Sequence, residues 1–293
     1  MSIITITGAN GHLGRLVVQQ LLAKGVKPAD LRVSVRDVSK AADLRARGID
    51  VRHGDFDDPA SLQEAFRGSD TVLIISADKV GSRIPQHLNA VQAAKAAGVK
   101  HVAYTSHVKA VINSQTGEEA PLTIEHRATE AAIFESGIAY TILRNSFYAE
   151  FLVGPVVQAL AKGIYRSSLG DTPLGCAARS DYAEAAAQVL IQPGHANKVY
   201  ELTTPAAWTV SDLVRAASKV SGKPLEYQVL SDADLISTLR AEGASETAAQ
   251  MAVGLNPFIR AGMLSLVAPD LEKILGHPVT SLEDQVRSLL KPS

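Results

Sequence analysis

Short apolar, β-branched runs alternate with longer segments whose apolar positions recur every three or four residues through the first half of the chain. The first pattern belongs to strands, the second to helices packed along one side. Runs at 3–6, 31–35, 49–53, 71–75, 99–106 and 139–143 read as strands. The run at 71–75 is apolar throughout, as a strand covered on both faces requires. Helical spacing begins near Gly11, with Leu13, Leu16, Val17 and Leu21 on one side, and returns at 40–47, 61–66, 85–97 and 124–136. Gly48, Gly98 and Gly137 stop three of these helices. Ser61 followed by Glu64 reads as a capping box. Repeated strand-then-helix units with right-handed crossovers predict an α/β fold, a Rossmann-like doubly wound parallel sheet.

The rhythm changes after Arg144. Residues 145–160 read as helix, 163–175 as a Gly- and Pro-bearing loop, 181–191 as an Ala-rich helix and 198–202 as a strand. A helix at 210–220, capped by Thr209 or Ser211, precedes a strand at 225–230 and a mostly helical remainder whose last helix starts at 280–283. The expectation is a nucleotide-binding domain over 1–145 and a smaller C-terminal substrate lobe over 146–293. The two interleave, with 198–203 rejoining the first sheet.

The junction of the first strand and helix holds the most specific chemistry. Gly8-Ala9-Asn10-Gly11-His12-Leu13-Gly14 spaces its glycines G-x-x-G-x-x-G. Glycine reaches the turn angles cheaply, and a missing Cβ lets a pyrophosphate approach the backbone. The following helix turns its free N–H groups and positive dipole end toward that anion. Asn10 and His12 add side-chain donors. An ordinary glycine-rich turn has the same composition; the strand before and the helix after favour a dinucleotide site.

An acid closing the second strand bonds the ribose 2′-OH of NAD. Here Val35 is followed by Arg36, whose planar fork suits a 2′-phosphate, so NADPH is expected. Asp37 would allow NADH if it turned inward, and Arg36 could instead form a surface salt bridge. Ligands lie outside the C-terminal ends of parallel strands. That places Asp55 against an adenine amino group, Phe56 in stacking range, and Ser76 and Ala77 beside the nicotinamide ribose.

Composition narrows the possibilities. The 293 residues are 46% hydrophobic, with 29 basic against 30 acidic side chains and a net charge of −1. No basic run favours nucleic acid. No stretch approaches a transmembrane length and no signal segment opens the chain, so a cytoplasmic protein is expected. The single cysteine, Cys176, reads as a structural thiol. The scattered histidines predict no metal site, and no G-x-S-x-G marks a hydrolase.

Dehydrogenases of this broad class often use Tyr-x-x-x-Lys for proton transfer to a carbonyl. Four residues beyond the seven tyrosines stand Val108, Arg144, Leu152, Leu169, Ala186, Thr204 and Ser231. None is lysine, so that acid–base pair is missing.

The glycine turn, Arg36, Tyr104-Thr105-Ser106, the segment 137–145 with Leu143-Arg144-Asn145 followed by Phe147-Tyr148, and the segment 199–203 together resemble the NmrA-like branch of atypical short-chain dehydrogenases. Within it the chain is most similar to the NADPH-dependent quinone oxidoreductase 2 type. The stretches 85–87 and 93–100, and Glu125-His126 with Glu130, extend the likeness almost end to end. The resemblance implies a flavin-free reductase passing hydride from NADPH to a quinone, an acceptor that needs little acid help, and it fits the missing motif. It allows a homodimer. Some relatives carry lysine where this chain has His126.

On the acceptor side Asn145, Phe147 and Tyr148 are candidates, the two rings either stacking a flat acceptor or packing at the lobe junction. Tyr104, Ser106 and His126 are the candidate donors, with Tyr104 equally readable as core and His126 as structural. Two alternatives remain: a non-catalytic NADP-sensing regulator, and a reductase of another conjugated acceptor such as a triphenylmethane dye.

Overall fold

The computed structural model describes residues 2–108 and 119–290. Seven parallel strands form one sheet in the order β3-β2-β1-β4-β5-β6-β8. They are β1 (Ile4–Thr7), β2 (Leu31–Val35), β3 (Asp50–His53), β4 (Thr71–Ile74), β5 (His101–His107), β6 (Ala139–Asn145) and β8 (Lys198–Leu202). The strand order reverses between β1 and β4, which opens a crevice above their C-terminal ends.

Helices α1 (His12–Ala23), α2 (Ala42–Ala46), α7 (Arg179–Ile191) and α12 (Asp270–Leu275) cover one face. Helices α3 (Pro59–Phe66), α4 (Arg83–Ala96) and α5 (Pro121–Glu135) cover the other. Every residue of β1, β2 and β4 is buried, including the polar Thr5, Thr7, Arg32 and Ser34 that alternate with the apolar positions of β1 and β2. β8 extends the sheet beside β6, and α7 packs on α1, so chain beyond residue 145 contributes to the first layer system.

A second core joins α6 (Glu150–Ala159), α8 (Val210–Ser221), α11 (Asn256–Arg260) and α13 (Leu282–Leu290). Beside it β7 (Ile164–Ser167) pairs in parallel with β9 (Glu226–Val229), followed by α9 (Asp232–Ala241) and α10 (Glu246–Val253).

Several boundaries differ from the sequence pattern for local reasons. The predicted helix at 40–47 is a 3₁₀ turn, Val38–Ala41, followed by the short α2, because Asp37 caps the turn through the Ser39 N–H. Helix α3 starts at Pro59, not at Ser61. Its cap is Asp58, which accepts from the Ala60 and Ser61 N–H groups, while Ser61 donates its hydroxyl to the Asp58 carbonyl. Asn145 ends β6, and helix begins only at Glu150, so the segment 145–149 is not helical. The loop expected over 163–175 contains β7, a four-residue strand that sequence alone cannot separate from coil. Thr209, rather than Ser211, caps α8 in a reciprocal box with Asp212.

Candidate active site

The turn after β1 is built around close backbone approach. Gly8 sits at φ +61, where an L side chain is strained. Its N–H donates to Ser34 O at 3.1 Å, and Gly11 N donates back to Gly8 O at 2.9 Å. A Cβ on Gly14 would lie 2.5 Å from Gly8 O and 2.7 Å from the Ala9 Cα, so α1 can pack against the turn only with glycine there. Ala9 and Leu13 are buried beneath the turn; Gly8, Gly11 and His12 face solvent. No side chain caps α1 and no acid lies in its first turn. The unspent N–H groups and open glycine face fit a dinucleotide pyrophosphate. Asn10 is committed elsewhere: its amide donates to Asp37 O at 3.2 Å and ties the turn to the segment after β2.

Arg36 is exposed directly after β2, and its guanidinium forms no ion pair among the described residues. Its backbone carbonyl accepts from the His53 ring at 3.0 Å. The neighbouring Asp37 is turned onto Ser39, accepting from N and Oγ at 3.0 and 2.6 Å. Those bonds hold its carboxyl below the usual range. Asp55 accepts from the Asp57 N–H at 3.1 Å. Phe56 stands edge-on to His87, with centroids 5.9 Å apart, at the margin of the core beneath α3 and α4. The Ser76 N–H is spent on Thr105 Oγ1 at 2.9 Å and the Ala77 N–H on His87 Nε2 at 3.0 Å. Neither N–H is therefore free for a ligand, and the Ala77 carbonyl already accepts from Arg83 Nε.

Behind β4 and β5 lies a buried polar chain with a fixed direction. His87 Nε2 accepts from Ala77, so Nδ1 carries the ring proton and donates to Thr129 Oγ1 at 2.9 Å. Thr129 passes its own proton to the Glu125 carbonyl at 2.9 Å. Tyr104 Oη lies 2.7 Å from His126 Nδ1. Burial pushes the Tyr104 phenol up, so it stays protonated and donates. His126 then carries its proton on Nε2, turned away from Tyr104. Burial lowers His87 and His107 to about 4, and His126 also lies well below its usual value. All three rings are neutral near neutral pH.

Ser106 donates to Glu130 at 2.6 Å, and Arg144 grips the same carboxylate with two bonds of 2.9 and 2.7 Å while reaching Glu201 at 2.7 Å. The Ser106 proton is thus already committed. Tyr104 is fully buried, whereas Ser106 and His126 each retain 5% exposure.

The residues expected on the acceptor side lie along an aromatic wall. Phe147 meets His107 edge-on at 5.4 Å and Phe151 at 6.4 Å. Tyr148 lies between the Tyr182 ring, 5.6 Å away, and the Arg179 guanidinium, 4.6 Å over its face. Phe151 is 62% exposed, so the wall opens outward there. Asn145 is buried at the foot of the wall. Cys176 is fully buried, its thiol pushed up to about 12, as suits a packed structural side chain.

The structure brings Tyr104 and His126 into one chain and joins Asn145 to the Phe147–Tyr148 wall. It separates Ser106 into the Glu130–Arg144 network. His107 was not among the sequence candidates. It is the last residue of a strand whose preceding serine was chosen, and only the fold shows that its ring turns onto Phe147.

A parallel sheet with a strand-order reversal, an uncapped helix over a glycine turn, and an aromatic wall at the ends of β5 and β6 define a dinucleotide-binding fold of the reductase class. The model of the NmrA-like family matches residues 1–279, and the chain belongs to that family. It is 41% identical to quinone oxidoreductase 2 of Escherichia coli (strain K12) over 288 residues, covering 98% of each chain. The crystal structure of the NADPH-dependent quinone oxidoreductase from Escherichia coli complexed with NADPH superposes with a TM-score of 0.88 at 40% identity, covering 99% of this chain and 100% of that one. The Citrobacter sp. triphenylmethane reductase complexed with NADP(H) gives 0.90 at 37% identity over 98% of this chain and 100% of that one. No helix among the described residues is long and apolar enough to cross a membrane.

Proposed function

We propose that this protein is an NADPH-dependent reductase that passes hydride to a quinone. The observation that carries the cofactor half is the exposed guanidinium of Arg36 at the end of β2, free of ion pairs among the described residues, beside the uncapped N-terminus of α1. Gly8 and Gly11 leave room for the pyrophosphate, Gly14 lets α1 close onto the turn, the α1 N–H groups bond the anion, and Arg36 pairs with the 2′-phosphate. The likeness to the Escherichia coli enzyme supports the acceptor half.

Reduced nicotinamide, when bound, supplies the hydride. This chain's own residues orient the partners and manage the proton. Phe147 and Tyr148 offer flat apolar surface for a conjugated ring. Reduction of a quinone leaves a phenolate, which takes its proton readily from water. His126, its Nδ1 occupied by Tyr104, keeps an Nε2–H to hydrogen-bond such an oxygen. Tyr104 fixes the His126 tautomer and acts as a positioning residue, and Ser106 holds Glu130.

Loss of reduced-nicotinamide absorbance with benzoquinone or menadione tests the reading, with NADPH and NADH run in parallel. NADPH binding without turnover of any quinone would overturn it in favour of a cofactor-sensing role, which predicts equal affinity for oxidised and reduced forms. The likeness to the Citrobacter enzyme makes a triphenylmethane dye the second acceptor for the same assay.

A further inference from the structure

His107 and Asn145 end neighbouring strands and are direct register partners, so their side chains leave the same face of the sheet. They are 8% and 5% exposed. His107 Nδ1 lies 3.0 Å from the Val108 carbonyl. A carbonyl only accepts, so Nδ1 holds the proton and Nε2 presents a bare lone pair. Among the described residues neither that nitrogen nor Asn145 Oδ1, both buried, has a hydrogen-bond partner. The groups packed around the ring do not meet it: Phe147 offers a ring edge, and His126, which carries an Nε2–H, lies with its centroid 6.1 Å away and makes no hydrogen bond to that nitrogen. Two adjacent buried acceptors left unmet are costly in a folded protein. They stand at the C-terminal ends of β5 and β6, at the foot of the aromatic wall.

We propose that the two acceptor atoms His107 Nε2 and Asn145 Oδ1 form a subsite that receives an N–H or O–H donor of a bound small molecule. The proposal rests on the reductase reading above. Two groups in such a site bring that chemistry: the carboxamide of the nicotinamide and the hydroxyl of the reduced ring. A simple quinone brings only carbonyl oxygens. It gains donors when a hydride from reduced nicotinamide and a proton from solvent convert it to the hydroquinone, leaving oxidised nicotinamide. The subsite therefore favours cofactor or product over the unreduced acceptor.

Two equilibrium titrations separate the sources. One compares NADPH with its 3-acetylpyridine analogue, whose ring ketone has no N–H. The other compares hydroquinone with 1,4-dimethoxybenzene on protein saturated with oxidised cofactor. His107→Phe keeps the edge contact with Phe147 and removes the lone pair; His107→Gln retains an acceptor. The expected result is that His107→Phe weakens one donor-bearing ligand by about 5- to 10-fold, leaves its donor-free analogue within about two-fold, and that His107→Gln recovers part of the loss. A loss confined to NADPH assigns the subsite to the carboxamide, and one confined to hydroquinone assigns it to the reduced ring. Failure of the wild-type protein to discriminate within either pair overturns the proposal without any variant, as does equal loss for both members of a pair. The carboxamide arm needs no turnover, so failure of the quinone reading and failure of the subsite give different results.

Discussion

Tyr104 Oη and His126 Nδ1 meet at 2.7 Å in the interior between β5 and α5, one side chain fully buried and the other nearly so. This contact makes Tyr104 a support for His126 rather than a group that touches an acceptor. Tyr104→Phe removes the donor and leaves the buried imidazole nitrogen unmet, at a cost of about 1–3 kcal/mol. For a chain of this length that lowers the melting temperature by about 2–10 °C. Turnover should fall less than stability does. Abolished turnover at an unchanged melting temperature would give Tyr104 a direct chemical role instead.

Arg36→Ala should weaken NADPH binding by about 10- to 100-fold, the worth of a charge-assisted bond to a phosphate. NADH has no 2′-phosphate and should bind within about two-fold of its wild-type affinity. Asp37 is held by Ser39, so the variant does not release a carboxylate to a 2′-OH. Titration of both cofactors by fluorescence checks this; equal weakening would remove Arg36 from phosphate recognition.

Gly14→Ala should cost stability as well as binding. The added Cβ would stand 2.5 Å from a backbone oxygen and 2.7 Å from the Ala9 Cα, neither of which is the end of a flexible side chain. Forcing them apart costs about 1–3 kcal/mol and moves α1 off the turn. Gly11→Ala meets only Gly8 O at 3.2 Å and should fold nearly as well as wild type. Denaturation of the two variants in parallel checks the ranking, and a stable Gly14→Ala protein that still binds NADPH would refute this account of the turn.

The fold was legible because short β-branched runs alternate regularly with helical spacing and the glycine turn has a fixed place between strand and helix. β7 was not legible: its four residues include Arg166, and its pairing with β9 joins residues far apart in sequence. In the site, Arg36 follows from its place at the end of β2. The commitments of other groups do not follow from sequence. Ser106 as a candidate donor says nothing of Glu130, whose carboxylate already holds its proton. His107 became visible only once the register of β5 and β6 placed it beside Asn145.

The buried histidines set an acid limit on stability. His87 and His107 sit at about 4 in the folded protein because burial disfavours the imidazolium, and His126 is lowered for the same reason. Arg83, on the adjoining helix α4, adds repulsion, while the nearby Glu125 and Glu130 are engaged with Gly81, Ser106 and Arg144. In the unfolded chain each histidine titrates near 6.5. Between those values the unfolded state binds more protons, so stability falls as pH drops from about 6.5 toward 4 and is unaffected by these rings above about 7. For His87 and His107 a shift of this size is worth roughly 3 kcal/mol each. Urea midpoints should hold steady from about pH 8 to 7, decline steadily below about 6.5, and decline less steeply in His107→Phe. A wild-type midpoint that stays level down to about pH 4.5 would mean that the rings accept protons without unfolding the site.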